Sequence, residues 1–264
     1  YHEAITPFQR SFQKTIGQEI AREFDKNGWL YFTNERFDLF YPSYGDTYPI
    51  YNGAIGMTFE QAGGKSAGTA VRTNDGTMLI LGDRIQHHTT TGMATIKSVR
   101  GNIGKINSEF FSFFKSNNDS RQYLFQIKKD DYERVRSLRT LLDRNNIRYQ
   151  FSEHSDRAAT LTIPFKQPKS KLINILMEEN SKLSDSLTYD ITAWNVAKVF
   201  GLNYSITTTP SDTKNPPKTH ERLPKAYGYA ISWQGGNVSK ALSWMLQNDI
   251  SVRFSENQFT LNGR

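Results

Sequence analysis

The 264-residue chain has no cysteine, which excludes disulfides, thiolate metal ligands and a thiol nucleophile. It has no apolar run approaching the roughly 20 residues that a membrane-spanning helix requires. The first residues, YHEAITPFQRSF, carry neither the basic start nor the apolar core of a signal peptide, and no methionine. The expectation is a processed chain, or a piece excised from a longer one. A basic stripe with interleaved stacking aromatics is also missing. The net charge of +7 comes from scattered lysines and arginines and reads as a solvated basic surface, so neither a nucleic-acid partner nor a membrane span is expected.

Several compact motifs are missing too. Of the five histidines, His2, His87, His88, His154 and His220, none has Glu three residues on or His three or four on, so no self-contained zinc site is expected. His87 and His88 are adjacent on a predicted helix and point about 100° apart, one expected to be buried and hydrogen-bonded and the other solvated. AGGKSAG (62–68) ends like a phosphate loop, but Phe59 stands where the motif needs glycine. There is no G-x-S-x-G elbow. Asp156 and Asp190 sit where capping explains them.

What is present reads as globular: 37% apolar and 13% aromatic residues are enough for buried cores. Phe8, Phe12, Ile16, Ile20 and Phe24 recur every fourth residue and predict a helix over 6–26, with Thr6-Pro7 at its start and Asn27-Gly28 as its stop. Strands are predicted over 29–33, 54–59 and 77–83. A helix follows over 84–101, capped by Asp83, with Ile85, His88, Met93, Ile96 and Val99 toward a core. A domain boundary is placed near Gly104, just before the aromatic cluster FFSFF (110–114).

The second half holds a weak internal repeat. The strand 123–127, helix 131–144 and strand 147–151 end in Phe-Ser-Glu; the strand 227–233, helix 238–247 and strand 250–254 end in the same tripeptide. Each copy reads as the β-α-β crossover of a parallel sheet. Between them lie ATLTIPF (159–165), helices over 171–180 and 190–199, and a proline-bearing loop over 207–223. This half is read as an open α/β domain.

The stretch 40–64, FYPSYGDTYPIYNGAIGMTFEQAGG, organises the functional reading. A tyrosine- and glycine-rich loop leads into the predicted strand 54–59, and Glu60 stands at its carboxyl end, before glycines. In open α/β sheets that is a favoured place for a catalytic carboxylate. Capping the loop, or pairing with Arg72, is the structural alternative.

This stretch resembles the last part of the catalytic domain of zinc carboxypeptidases of the carboxypeptidase A-like metallopeptidase family. It is most similar to the bacterial branch whose strand ends G-A-x-G-M-T-x-E-Q-A-G. DRIQHHTTTGMAT (83–95) is similar to that branch's closing helix. SLTYDITAWNVAKVFGLNY (186–204) resembles part of its extra C-terminal domain, described as class I glutamine amidotransferase-like. The resemblance implies an α/β chain in two parts: residues 1–104, the C-terminal portion of a carboxypeptidase-like mixed sheet with helices, and residues 105–264, an open amidotransferase-like α/β domain. It implies hydrolysis of C-terminal residues from peptides, secretion or a periplasmic location, and one zinc ion held by two histidines and a glutamate. It assigns Glu60 as the general base acting on water. It assigns Tyr41 or Tyr44 as the tyrosine that swings over the substrate, and Asp46 as the only charged candidate among the residues lining the side-chain pocket, which implies a preference for basic C-terminal residues. The zinc ligands and the arginines for the substrate carboxylate lie, in the family, upstream of the residue matching Glu60. The partners implied are a peptide substrate and the missing N-terminal part of the catalytic domain; this chain alone is expected to be inactive. Without cysteine, the second part cannot be a glutaminase. The alternative from another class is a non-catalytic protein that binds a peptide, glycan or small molecule on a peptidase remnant.

Overall fold

The computed structural model describes residues 1–33, 39–61, 69–115, 119–155, 158–182, 194–208, 225–231, 233, 236–255, 257 and 260. The chain is mixed α/β with two small antiparallel sheets. It divides into two compact units, each discontinuous in sequence: Tyr1–Asp119 with Phe165–Val196, and Ser120–Pro164 with Ala197–Arg264.

The first unit is built on two long helices, α1 (Pro7–Asn27) and α3 (Leu81–Gly101). Thr6 starts α1 with a reciprocal capping box to Gln9, Pro7 occupies the first turn and Gly28 closes it. Phe12, Ile16 and Phe24 are buried as the period-four pattern requires, yet Gln9, Gln13 and Glu19 are buried beside them. Helix α3 reverses the expected face. Thr91, Ala94 and Ser98 are buried, while Ile85, Met93 and Ile96 are each about 60% exposed and His88 is exposed. At 100° per residue these two sets lie on opposite sides of the helix. The small residues face inward because α3 lies against α1, and a close helix pair favours short side chains at the contact.

A hairpin of β1 (Ala70–Arg72) and β2 (Met78–Ile80) leads into α3. Asp83 is within the first turn of that helix and accepts a hydrogen bond from the Ile80 backbone N–H at 3.0 Å, so it does act as a cap. Helix α4 (Ile103–Phe113) runs through Gly104 and carries the aromatic cluster. Short helices α2 (Thr47–Tyr51) and α6 (Ser170–Leu176) complete the unit. Residues 29–33 form no strand.

The second unit contains the four-stranded sheet. Strands β3 (Gln122–Lys128), β4 (Gln150–Ser155), β5 (Ala158–Pro164) and β6 (Ser205–Thr207) are ordered β4-β5-β3-β6, every neighbouring pair antiparallel. Helix α5 (Tyr132–Arg144) joins β3 to β4. Because β5 is antiparallel to both, β3 and β4 run in the same direction with one strand between them: a split β-α-β unit, and not a parallel pair. The insertion follows from ATLTIPF, whose buried Ala159, Leu161 and Ile163 continue the apolar surface of Tyr123, Phe125 and Ile127. Val135, Leu138 and Leu142 of α5 are buried in the same unit. The single-turn helix α7 (Val196–Val199) precedes β6.

The second copy of the repeat differs. Helix α8 (Gly236–Gln247) forms as expected, but the described residues of 225–233 and 250–254 form no strand. Both segments alternate apolar and polar residues, yet among the described residues no strand pairs with them. A strand needs a hydrogen-bonding neighbour as well as the pattern; here Tyr227, Trp233 and Phe254 are exposed.

Candidate functional site

The stretch 40–61 lies wholly in the first unit, and α1 positions it. Gln9, almost fully buried, donates through Nε2 to the carbonyls of Ile50 and Ala54, both at 2.8 Å. One turn along the helix, Gln13 donates to the Gly56 carbonyl at 2.7 Å. The predicted strand 54–59 does not form, and residues 55–61 run as irregular backbone. Two of the carbonyls that a neighbouring strand would take up, those of Ala54 and Gly56, are held by glutamine side chains of α1. This satisfies the acceptors without a sheet. Gly56 is required by contact: a Cβ there would sit 1.8 Å from the Asp46 carbonyl oxygen.

Asp46 is half-buried and engaged on both oxygens. It accepts from the Thr47 hydroxyl at 3.0 Å and from the Thr58 hydroxyl at 2.5 Å. It precedes α2 without capping it through its side chain. The Thr58 bond fixes the loop to a point two residues before Glu60. A carboxylate offers about four acceptor directions, so the charge stays available to a further donor.

Glu60 is exposed and makes no hydrogen bond or ion pair with the described residues; Arg72 instead donates to the Gly76 carbonyl at 3.3 Å. Immediately after it, Gln61 bonds through Oε1 to Nδ1 of His87 at 3.2 Å. The His87 ring lies 4.5 Å from that of Trp29 and 5.5 Å from that of Phe24. Burial among these rings pushes the imidazole below its ordinary pKa, against the opposing pull of Asp83. His87 is therefore the half-buried, bonded member of the pair and His88 the exposed one. The backbone is thus tied down on either side of Glu60, by Thr58 and by Gln61, while the carboxylate itself is open to solvent.

Tyr41 and Tyr44 pack edge to face, centroids 5.0 Å apart, with Trp194 5.9 Å from Tyr41. Tyr44 is the more exposed ring. This aromatic group and the Asp46–Thr58 anchor are separate features of one loop, and no ring contact links either tyrosine to Glu60.

Sequence reasoning missed the centre that holds the loop's base. His2 is 98% buried, and its Nε2 lies 2.8 Å from Glu178 Oε2. The Ala4 backbone N–H donates to Nδ1 at 3.1 Å, so Nε2 is the nitrogen that donates to the carboxylate. Phe40 and Tyr51 ring it at 5.4 Å each, and the Tyr51 hydroxyl donates to the Phe40 carbonyl. Nothing in local spacing signals a partner 176 residues away.

Among the described residues, no three His, Asp or Glu side chains converge as a ligand set for a metal. His2 is committed to Glu178, His87 to Gln61 and His154 to the Thr160 hydroxyl at 3.1 Å. The described residues therefore do not fit a zinc ion. The phosphate-loop-like 62–68, Asp156, Asp190, His220 and residues 186–193 of the 186–204 segment lie outside the described residues. Among the described residues, no helix is long and apolar enough to cross a membrane. Comparison with protein-family models, curated proteins and solved structures yields no significant match.

Proposed function

We propose that this chain is the C-terminal part of a secreted or periplasmic bacterial zinc carboxypeptidase, with Glu60 as the general base. The observation that carries the reading is the 41–64 motif with its glutamate presented to solvent between two anchors, Asp46–Thr58 and Gln61–His87. A general base must reach the proton it removes, and an exposed carboxylate with no partner among the described residues, on a held backbone, meets that requirement. In this role Glu60 takes a proton from the attacking water and returns it to the departing amine. Tyr41 or Tyr44 closes over the peptide, and Asp46 favours a basic C-terminal residue. The zinc ion comes from a ligand set that the described residues do not supply. The finer fold belongs to the same proposal: a portion of a carboxypeptidase-like mixed sheet over 1–104 and an amidotransferase-like domain over 105–264.

The test compares this chain with one extended upstream, for zinc content and for release of C-terminal residues. The extended protein should hold one zinc and turn over; this chain should do neither. Glu60→Gln in the extended protein should lower turnover by about 10²–10⁴-fold with zinc retained, the range typical of a lost acid–base group. Retained turnover in that variant removes Glu60 from the role. Tight stoichiometric zinc in the short chain removes the fragment reading. An upstream sequence with no H-x-x-E would favour the non-catalytic binding protein instead.

A further inference from the structure

Within the first unit a cavity of about 120 Å³ opens between the start of α1, the Gly53 turn, α4 and α6. Its lining is Phe8 and Phe113 for apolar surface, Thr6, Gln9 and Ser112 for polar surface, and two charged side chains, Glu109 and Lys171. The two charges line one cavity without forming an ion pair with each other or with any other described residue. Lys171 is half-buried, its ammonium 4.0 Å from the centroid of the Phe113 ring. Burial pushes it toward its neutral form, and no carboxylate opposes that. Glu109 accepts no hydrogen bond from the described residues. Gly53, at φ +86°, forms part of the wall: a Cβ there would meet Phe113, Phe114 and Phe110 at 3.1–3.3 Å.

We propose that this cavity binds a free α-amino acid with a small apolar side chain. The ligand's carboxylate meets Lys171, its ammonium meets Glu109, and its side chain lies on Phe8 and Phe113. Opposite charges that share a wall but not each other are matched by a zwitterion, which satisfies both at once; a simple anion or cation satisfies one and leaves the other. The size limits the ligand: an apolar protein cavity of about 150 Å³ holds benzene, so about 120 Å³ in a cavity half open to solvent admits only a small amino acid. The proposal does not rest on the peptidase reading.

The experiment is calorimetric titration of the full chain, at fixed ionic strength, with L-valine, N-acetyl-L-valine and L-valine amide. L-Valine should bind saturably at one site. Each blocked form should bind at least roughly tenfold more weakly, because it forfeits one charge-assisted contact. Lys171→Met and Glu109→Gln should each weaken valine by a similar factor, and Glu109→Gln should abolish the preference for valine over its N-acetyl form. The ligand series uses the unaltered protein, so a variant that misfolds does not shield the idea. Absence of saturable valine binding overturns it, as does equal affinity for the blocked forms or undiminished affinity in both variants.

Discussion

The glutamines of α1 offer a sharp test of how the candidate site is held. Gln9→Leu replaces the amide by an apolar side chain of similar size and so removes the donor for the Ala54 and Ile50 carbonyls. Ile50 retains a second donor, the Gly53 N–H at 3.0 Å. Ala54 loses its side-chain donor, and a carbonyl left unsatisfied at a part-buried position costs about 1–2 kcal/mol, the lower part of the range for buried groups. The change also removes the Gln9 side chain's half of the capping box, its acceptance from the Thr6 N–H, while the Gln9 N–H still donates to the Thr6 hydroxyl; one lost hydrogen bond of this kind costs about 1 kcal/mol. The expected total is about 2–3 kcal/mol. Gln13→Leu provides the contrast. It strips the Gly56 carbonyl of its donor, but it also removes Gln13 Oε1, which is buried with no hydrogen-bond partner among the described residues. The two effects are of similar size and opposite sign, so the net change should lie within about 1 kcal/mol of zero. The assay is hydrogen exchange followed by mass spectrometry in a urea series, read on peptides from 7–27 so that the first unit reports by itself. The account fails if Gln9→Leu costs under about 1 kcal/mol, or if Gln13→Leu is the more damaging change.

Gly56→Ala should destabilise the first unit by about 3 kcal/mol or more, since the new methyl meets backbone, which no rotamer change relieves; a loss under 1 kcal/mol in the same assay contradicts the 46–56 contact. Lys97 and Arg22 hold the Glu19 carboxyl down at about 2, from an ordinary 4.5. A depressed carboxylate contributes stability that is fully present above about 4.5 and is lost as pH falls toward about 2. The melting temperature should therefore drop more steeply across that window in the wild type than in Glu19→Gln, and parallel curves refute the linkage. Leu161→Ala, at a fully buried position in the central strand β5, should cost the second unit about 2–5 kcal/mol by urea unfolding read on peptides from 122–128; under 1 kcal/mol would place the core elsewhere.

Which parts were legible in the sequence depended on how local their cause was. Helix α1, strands β3 and β5 and helices α5 and α8 follow from period, caps and β-branched runs within a few residues of each other. The stripe on α3 was read correctly as apolar and assigned to the wrong side. Its burial is set by α1, which accepts Thr91, Ala94 and Ser98 at close range, and no pattern within α3 carries that information. The segment 54–59 has strand composition, but Gln9 and Gln13 take the Ala54 and Gly56 carbonyls. Gln9 and Gln13 directly follow the apolar positions Phe8 and Phe12, and no local pattern marks them as inward-facing donors. The β-α-β unit was anticipated from α5 and its flanking strands, while the insertion of β5 between them is a choice among sheet neighbours that alternation alone does not make. At the candidate site, Glu60, Asp46 and the tyrosines came from a motif, whereas the His2–Glu178 pair and the Glu109–Lys171 cavity join residues far apart in the chain.

The division of the first unit between 1–119 and 165–196 has a consequence for how the protein is made. A ribosome delivers about 5–20 residues per second, and His2 and Glu178 are separated by 176 positions. The imidazole, its phenylalanine and tyrosine neighbours and the loop they support must therefore wait on the order of 10–35 s for their carboxylate to be synthesised. During that interval the four strands of the other unit are still incomplete, because β6 is translated after Glu178. Neither unit can finish before the other has begun, so nascent chains with 119 residues and with 200 residues clear of the ribosome should differ sharply in protease resistance.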